Sequence, residues 1–84
     1  MAKMTELPNI GAVNAKKLED SGVHSPEALK EMGSKEAFLR MRLHADPDAC
    51  LSTLYGLEGA VQGIRWHDLS QEVRDELKAF YDAL

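Results

Sequence analysis

The sequence has a single cysteine, fewer basic than acidic residues, and no apolar run long enough to cross a membrane. The lone Cys50 excludes an internal disulfide and fits a reducing compartment. Because the amino terminus lacks the apolar core of a secretory signal, we expect a cytoplasmic protein without a membrane anchor. With 10 basic and 14 acidic residues, the net charge is −4, which argues against a dedicated nucleic-acid binder that tracks phosphates along a basic stripe.

Patterns typical of strands and of catalytic sites are also missing. There is no alternating β-branched run, no Asn-Gly turn and no phosphate-binding glycine loop of the Walker or Rossmann kind. The histidines His24, His44 and His67 show no helical metal-ligand spacing, and we interpret them as loop or surface residues. Asp46 and Asp48 are interpreted as helix-capping acids rather than an acid–base pair. We therefore predict a non-enzyme with no catalytic residue, metal site or cofactor.

Helix signals recur along the chain and predict one all-α domain over residues 1–84, with an ordered core of about 5–82. We expect a compact, SAM-like bundle of about five short helices, preceded by at most one helical turn in residues 1–6. Ser25, Ser34 and Ser70 are the predicted N-caps, and Gly22 is the predicted left-handed C-cap, followed by the apolar Val23. The predicted segments are a hairpin with its helix over 7–22, then helices over 26–33, 35–45 and 47–63 and from residue 71 onward.

The helix over 47–63 is predicted to be the centre of the bundle. Its apolar residues recur at spacings of four and three, and this stripe includes Cys50, which we therefore expect to be a buried thiol. Gly56, Gly59 and Gly63 lie roughly along one side and cost about 1 kcal/mol each relative to alanine. We interpret them as allowing close approach of another helix or of the hairpin backbone. A ligand-binding cleft beside them is the less favoured alternative.

The stretch Leu7-Pro8-Asn9-Ile10-Gly11 predicts a tight turn that leads directly into a helix. The first amides of that helix lack intrahelical partners, and such amides suit a phosphate. The alternative, given even weight, is that the hairpin only packs helices. The candidate phosphate- or DNA-binding residues are Asn9, Ile10, Gly11, Ala12, Val13, Asn14, Lys16 and Lys17.

Trp66 is the second candidate, because it lies on a linker between Arg65 and His67. Trp and Arg are enriched at binding hot spots, so these three residues form a candidate partner surface. The favoured interpretation of Trp66 itself is that it fills the core between helices.

Two resemblances refine this picture. The hairpin resembles the helix-hairpin-helix family at Leu7, Asn9-Ile10-Gly11, Ala15 and Leu18, with Asn9 in place of the first glycine. Over about residues 5–80, the chain resembles the C-terminal domain of the TfoX/Sxy family of bacterial competence regulators. The residues that carry this second resemblance are the hairpin with Ala15, Lys16 and Leu18, then Val23-His24-Ser25, Leu54-Tyr55-Gly56-Leu57-Glu58-Gly59-Ala60 and Gly63-Ile64-Arg65-Trp66-His67-Asp68-Leu69.

The TfoX/Sxy resemblance implies a transcription-linked module. The family is associated with positive regulation of DNA-uptake genes, in partnership with the cyclic-AMP receptor protein. Family members typically carry an N-terminal α+β domain that is absent from this sequence, so the resemblance implies either a stand-alone relative or one part of a longer protein, and the initiator methionine favours the former.

Two functional hypotheses follow, from different classes. The first is a module that docks on a transcription factor, a polymerase or itself, which the negative net charge favours. The second is a helix-hairpin-helix domain that binds DNA phosphates directly, with weak, sequence-independent and strongly salt-dependent affinity. Small-molecule binding beside the glycines is a distant third. The sequence leaves the partner and the oligomeric state open.

Overall fold

A computed structural model of the chain describes residues 3–84, so Met1 and Ala2 and the expectations placed on them lie outside it. Within those residues the fold is all-helical, as predicted, with no strand. The elements, in chain order, are a 3-10 turn Met4–Glu6, α1 Ala12–Asp20, α2 Pro26–His44, α3 Leu51–Gln62, a second 3-10 turn Trp66–Asp68 and α4 Gln71–Asp82. Helix α3 packs against α2, α4 and the second 3-10 turn, whereas α1 packs against α2 and the first turn.

None of the helices in the described part of the chain combines the length and the apolar character needed to cross a bilayer.

Several helix ends lie where the local sequence places them. Ser25 and Ser70 each accept a hydrogen bond from the backbone amide three residues later, at 3.0 and 3.2 Å. Gly22 adopts a φ of 84° after α1, which allows the Val23 amide to donate to the Leu18 carbonyl at 2.9 Å. These three caps confirm the predictions, and each involves residues no more than five positions apart.

The predicted helix boundary at Gly33 is present as a kink, but the segments on its two sides form one kinked helix, α2, so residues 3–84 contain four helices rather than the predicted five. Gly33 breaks the helical path with a φ of 85° and a ψ of 165°. Ser34, predicted as an N-cap, is buried and donates instead to Glu58 Oε1 of α3 at 2.6 Å. This bond joins the middle of α2 to a helix 24 residues away, so no local pattern predicts it.

Helix α3 begins at Leu51, four residues later than predicted. The Asp46 carboxylate accepts a hydrogen bond from the Asp48 amide at 3.1 Å, so it stabilises a turn before the helix rather than capping the helix. Cys50 is consequently extended (φ −104°, ψ 177°) and lies outside the helical stripe. The expectation of a buried thiol is wrong, because Cys50 is exposed.

The hydrophobic core draws side chains from all four helices. Four large hydrophobic side chains are exposed among the described residues: Val13 (69%), Leu39 (39%), Leu43 (77%) and Leu84 (53%). The largest fully buried side chains are Leu18, Val23, Leu29, Phe38, Met41, Leu54, Leu57 and Leu77.

The predicted turn before α1 is present. The Ile10 amide donates to the Leu7 carbonyl at 3.4 Å, and Asn9 has a φ of 68°, the only positive φ outside glycine in the described residues. Ile10 is buried and anchors the turn. The helix-hairpin-helix motif is not confirmed, because only the three-residue turn Met4–Glu6 precedes this bend.

Candidate functional site

A cleft of about 560 Å³ lies where the hairpin, α3 and the second 3-10 turn meet. It brings together three residues of the predicted hairpin site with all three residues of the predicted partner surface. Ser52 and Thr53 of α3 also line it and were missed, because nothing in the sequence indicates that α3 starts beside the hairpin. The cleft is lined by Pro8, Asn9, Ile10, Asn14, Ser52, Thr53, Gly56, Leu57, Arg65, Trp66 and His67.

Asn9 joins the three walls of this cleft. Its Nδ2 donates to the carbonyls of Gly56 and Ile64, at 3.3 and 2.9 Å, and its Oδ1 accepts from the Trp66 amide at 3.0 Å. Both Nδ2 hydrogens are therefore used inside the molecule. The residue that departs from the glycine of the helix-hairpin-helix pattern has become a clamp between the hairpin and the end of α3.

The glycines of α3 make room for this clamp. A Cβ at Gly59 would overlap the Asn9 amide nitrogen and lie 2.7 Å from the Ile64 carbonyl oxygen. A Cβ at Gly56 would lie 3.5 Å from the Asn9 Cβ, which is ordinary contact. The hairpin does approach both glycines, as predicted, but mainly through the Asn9 side chain; its backbone comes near only Gly56, where the Asn9 carbonyl oxygen would lie 3.9 Å from the added Cβ. Gly63 lies outside the contact and forms the left-handed C-cap of α3.

Trp66 is partly buried and packs against the core, and its ring also forms part of the cleft wall. It stacks with Tyr55 at 6.2 Å between ring centroids and with His67 at 4.0 Å. The Arg74 guanidinium lies 5.8 Å from the Trp66 centroid and donates to the carbonyls of Trp66 and His67. The indole is thus held from several sides, and His67 is the exposed member of the stack.

The lining of the cleft contains no carboxylate, although acidic residues outnumber basic ones in this chain. Arg65 is exposed and pairs with no carboxylate among residues 3–84, and the Asn14 side chain makes no hydrogen bond within them. The cleft therefore presents one unpaired cation and one open amide.

On the outside of the hairpin, Ala12 and Val13 combine with Lys16 and Lys17 into a shallow surface of almost wholly apolar atoms, here named the outer hairpin surface. Gly11, Ala12 and Val13 are exposed, and the Gly11 N-cap position makes no side-chain hydrogen bond. The first amides of α1 are therefore open to solvent, as expected for a helix start without a side-chain cap.

Both lysines of this surface are paired with carboxylates. Lys16 bonds Asp20 at 3.1 Å, and Lys17 bonds Asp46 at 2.6 Å. The hydrogen bond from Lys17 holds the pKa of the Asp46 carboxyl below its ordinary value. The ammonium groups expected to assist a phosphate are thus already engaged.

Cys50, the residue before α3, carries the single thiol of the chain, and it is exposed. Its Sγ lies 2.9 Å from Ser52 Oγ and 3.8 Å from Thr53 Oγ1. The hydrogen bond from the Ser52 side chain above all, followed by one from the Thr53 backbone amide, lowers the pKa of the thiol to about 7. Within residues 3–84, no group of three His, Cys, Asp or Glu side chains is placed to hold a metal ion.

Two solved structures from Listeria monocytogenes are similar to this chain. The first, an uncharacterised protein in a triclinic crystal form, is 51% identical, with coverage of 98% of this chain and 92% of that chain and a TM-score of 0.95. The second, a protein of unknown function in a tetragonal form, is 52% identical, with coverage of 94% and 95% and a TM-score of 0.90. None of the curated proteins matches the chain.

The family described as the TfoX C-terminal domain matches residues 1–81. This is a regulatory-type family and not a known enzyme family. The match extends over the hairpin, the cleft and all four helices up to Tyr81. On that evidence, the chain belongs to the TfoX C-terminal domain family.

Proposed function

We propose that this domain is a non-enzymatic, competence-related transcription module that works by docking onto a protein partner. The observation that carries the proposal is the outer hairpin surface, which offers apolar atoms where a phosphate-binding hairpin would offer free cations. Val13 is 69% exposed at its centre, and the flanking Lys16 and Lys17 are neutralised by Asp20 and Asp46. An exposed apolar patch rimmed by polar groups is typical of a protein-interaction site.

Family membership and net charge support the same proposal. The TfoX C-terminal domain match supports a competence-related setting, while the similar structures are of proteins without a described function. A net charge of −4 disfavours a protein whose main partner is a nucleic acid and is compatible with a protein partner.

Site-specific photocrosslinking in cells tests the docking proposal. A photoreactive amino acid at position 13 should capture a transcription regulator or an RNA polymerase subunit. The same residue at position 30, where Lys30 is exposed on α2, is the control and should not capture that protein. Val13→Asp should abolish co-purification of the captured partner. Identical crosslinks from positions 13 and 30, or none from position 13, would reject the proposal.

Direct DNA binding is the second candidate, and the open amides of Ala12, Val13 and Asn14 are the observation that favours it. An amide NMR titration with a short duplex, at low and then physiological salt, separates the two functions. The docking function predicts that duplex DNA leaves the chemical shifts of the hairpin amides unchanged. Shifts confined to residues 9–17 that fade as salt rises would instead make duplex DNA the leading partner.

A further inference from the structure

We propose that the cleft binds a nucleoside phosphate, either as a free mononucleotide or as the terminal nucleotide of a single strand. The proposal goes beyond the docking function and uses different residues, because the cleft excludes Ala12, Val13, Lys16 and Lys17. Its volume, about 560 Å³, falls within the range of about 300–1,000 Å³ that is usual for small-molecule sites.

The positive charge of the cleft lining favours an anionic ligand. Five of the ten lysine and arginine side chains are paired with carboxylates within residues 3–84, including Lys35 with Glu76 and Lys78 with Asp82. Arg65, in contrast, faces a cleft whose lining carries no carboxylate, and it has no carboxylate partner among residues 3–84. Its planar guanidinium matches the oxygens of a phosphate in a two-pronged hydrogen bond, which is why arginine is favoured at phosphate sites.

The aromatic side of the cleft supplies a place for the base. Trp66 and His67 stack with each other and line the cleft together, so a planar ring can extend the stack at the exposed His67. Stacking of a base on an aromatic side chain is worth about 1–3 kcal/mol in single-strand binders. Arg74 acts as a positioning residue here, because it holds the carbonyls of Trp66 and His67 without lining the cleft.

A polar group completes the site between these two features. Asn14 projects from α1 as part of the cleft lining, and its side chain makes no hydrogen bond within the described residues. An amide carries both donors and an acceptor, so it can bond a base edge or a sugar hydroxyl. Because Asn9 ties the hairpin to α3 by one hydrogen bond and to the segment after α3 by two more, the walls that carry Asn14 and Arg65 are held in place before any ligand arrives.

The test is an amide NMR titration of the whole protein with AMP, with separate titrations of adenosine and of inorganic phosphate. We expect AMP to shift the amides of residues 9–14, 52–57 and 65–67, with an affinity about tenfold or more above that of either fragment. Arg65→Gln should weaken AMP binding about tenfold, as the loss of a charge-assisted pair implies. Lys30→Gln changes the net charge equally, outside the cleft, and should leave the affinity unchanged.

His67→Ala should weaken the binding of AMP and leave any chemical-shift response to inorganic phosphate unchanged. A site that binds its ligand through charge alone would not separate the two ligands in this way. A 5′-phosphorylated tetrathymidylate identifies the source of the ligand. Tighter binding of the oligonucleotide than of AMP indicates a single strand, and equal or weaker binding indicates a free mononucleotide.

Three outcomes would overturn the proposal: no shift in the cleft at millimolar AMP, equal affinity for AMP and inorganic phosphate, or shifts confined to the outer hairpin surface. Failure here is distinguishable from failure of the docking function, because crosslinking from position 13 does not depend on Arg65 or His67.

Discussion

The two sides of the hairpin differ sharply although they are only a few residues apart. On the inner side, Asn9 and Ile10 are held against α3 by long-range hydrogen bonds and burial. On the outer side, Ala12 and Val13 are exposed and their neighbouring lysines are paired with carboxylates. Only the inner side is joined to the rest of the molecule through backbone groups 47 to 57 residues away.

This comparison shows that one sequence motif can combine a structural half, whose groups are used in packing and hydrogen bonding within the domain, with an available half, whose groups remain open to a ligand or partner. The position that departs from the glycine pattern, Asn9, belongs to the structural half, so its side chain is not free for a ligand. The outer half keeps open amides but loses free cations. A resemblance in the hairpin therefore indicates a shared turn more strongly than a shared ligand.

Gly59→Ala is expected to disturb the inner side most, with a loss of about 3 kcal/mol in the free energy of unfolding. The new methyl group clashes with the Asn9 side-chain amide and with the Ile64 carbonyl oxygen. The higher helix propensity of alanine offsets only about 1 kcal/mol of this loss. Urea denaturation followed by circular dichroism measures the loss. Gly56→Ala in the same helix is the control and should be neutral or slightly stabilising, since its Cβ makes ordinary contact. Equal losses for both variants would contradict the clamp geometry.

Asn9→Ala is expected to cost about 2 kcal/mol, because three hydrogen bonds are lost and alanine tolerates the positive φ poorly. Asn9→Gly should cost about 1 kcal/mol less, because glycine adopts that φ freely. The Trp66 amide should also exchange faster with solvent in both variants. Asn14→Ala is the matched control, with little expected effect, and a loss as large as that of Asn9→Ala would argue against the inner–outer distinction.

Lys17→Gln tests the Lys17–Asp46 ion pair of the outer side through the pH dependence of the melting temperature. The hydrogen bond from Lys17 lowers the pKa of the Asp46 carboxyl below its ordinary value, so the pair stabilises the fold above the pKa of the unfolded carboxyl. The contribution is lost as the pH falls through the lowered pKa. We expect Lys17→Gln to melt slightly below the wild type at neutral pH and the difference to vanish in acid. Lys16→Gln, which removes a more exposed pair, should change the melting temperature less, and a persistent acid difference would exclude the ion pair as the cause.

Val13→Ser should have the smallest effect on stability, within about 0.5 kcal/mol, because the side chain is 69% exposed. A thermal melt of the purified domain measures it. A loss of more than about 1 kcal/mol would mean that Val13 packs against the domain itself, and the outer hairpin surface would no longer be available to a partner.

Local contacts explain most of what could be predicted. The caps at Ser25, Ser70 and Gly22 depend on neighbours in sequence, and the apolar spacing of α3 predicted its central place. The same spacing wrongly predicted that Cys50 lies on the buried stripe of the helix, because the turn at Asp46 precedes α3 and the helix begins only at Leu51. Most of the cleft residues were singled out from the sequence, but as two separate groups, and only the structure shows that they share one cleft.

The sequence by itself determined the helical class, most helix ends and the family, because capping and apolar periodicity act over a few residues. The tertiary structure decided the role of Asn9, the join between α2 and α3, and the existence of the cleft. Those features depend on hydrogen bonds between groups 24 to 57 residues apart. Such bonds form only when packed helices bring the groups together, so no local pattern records them.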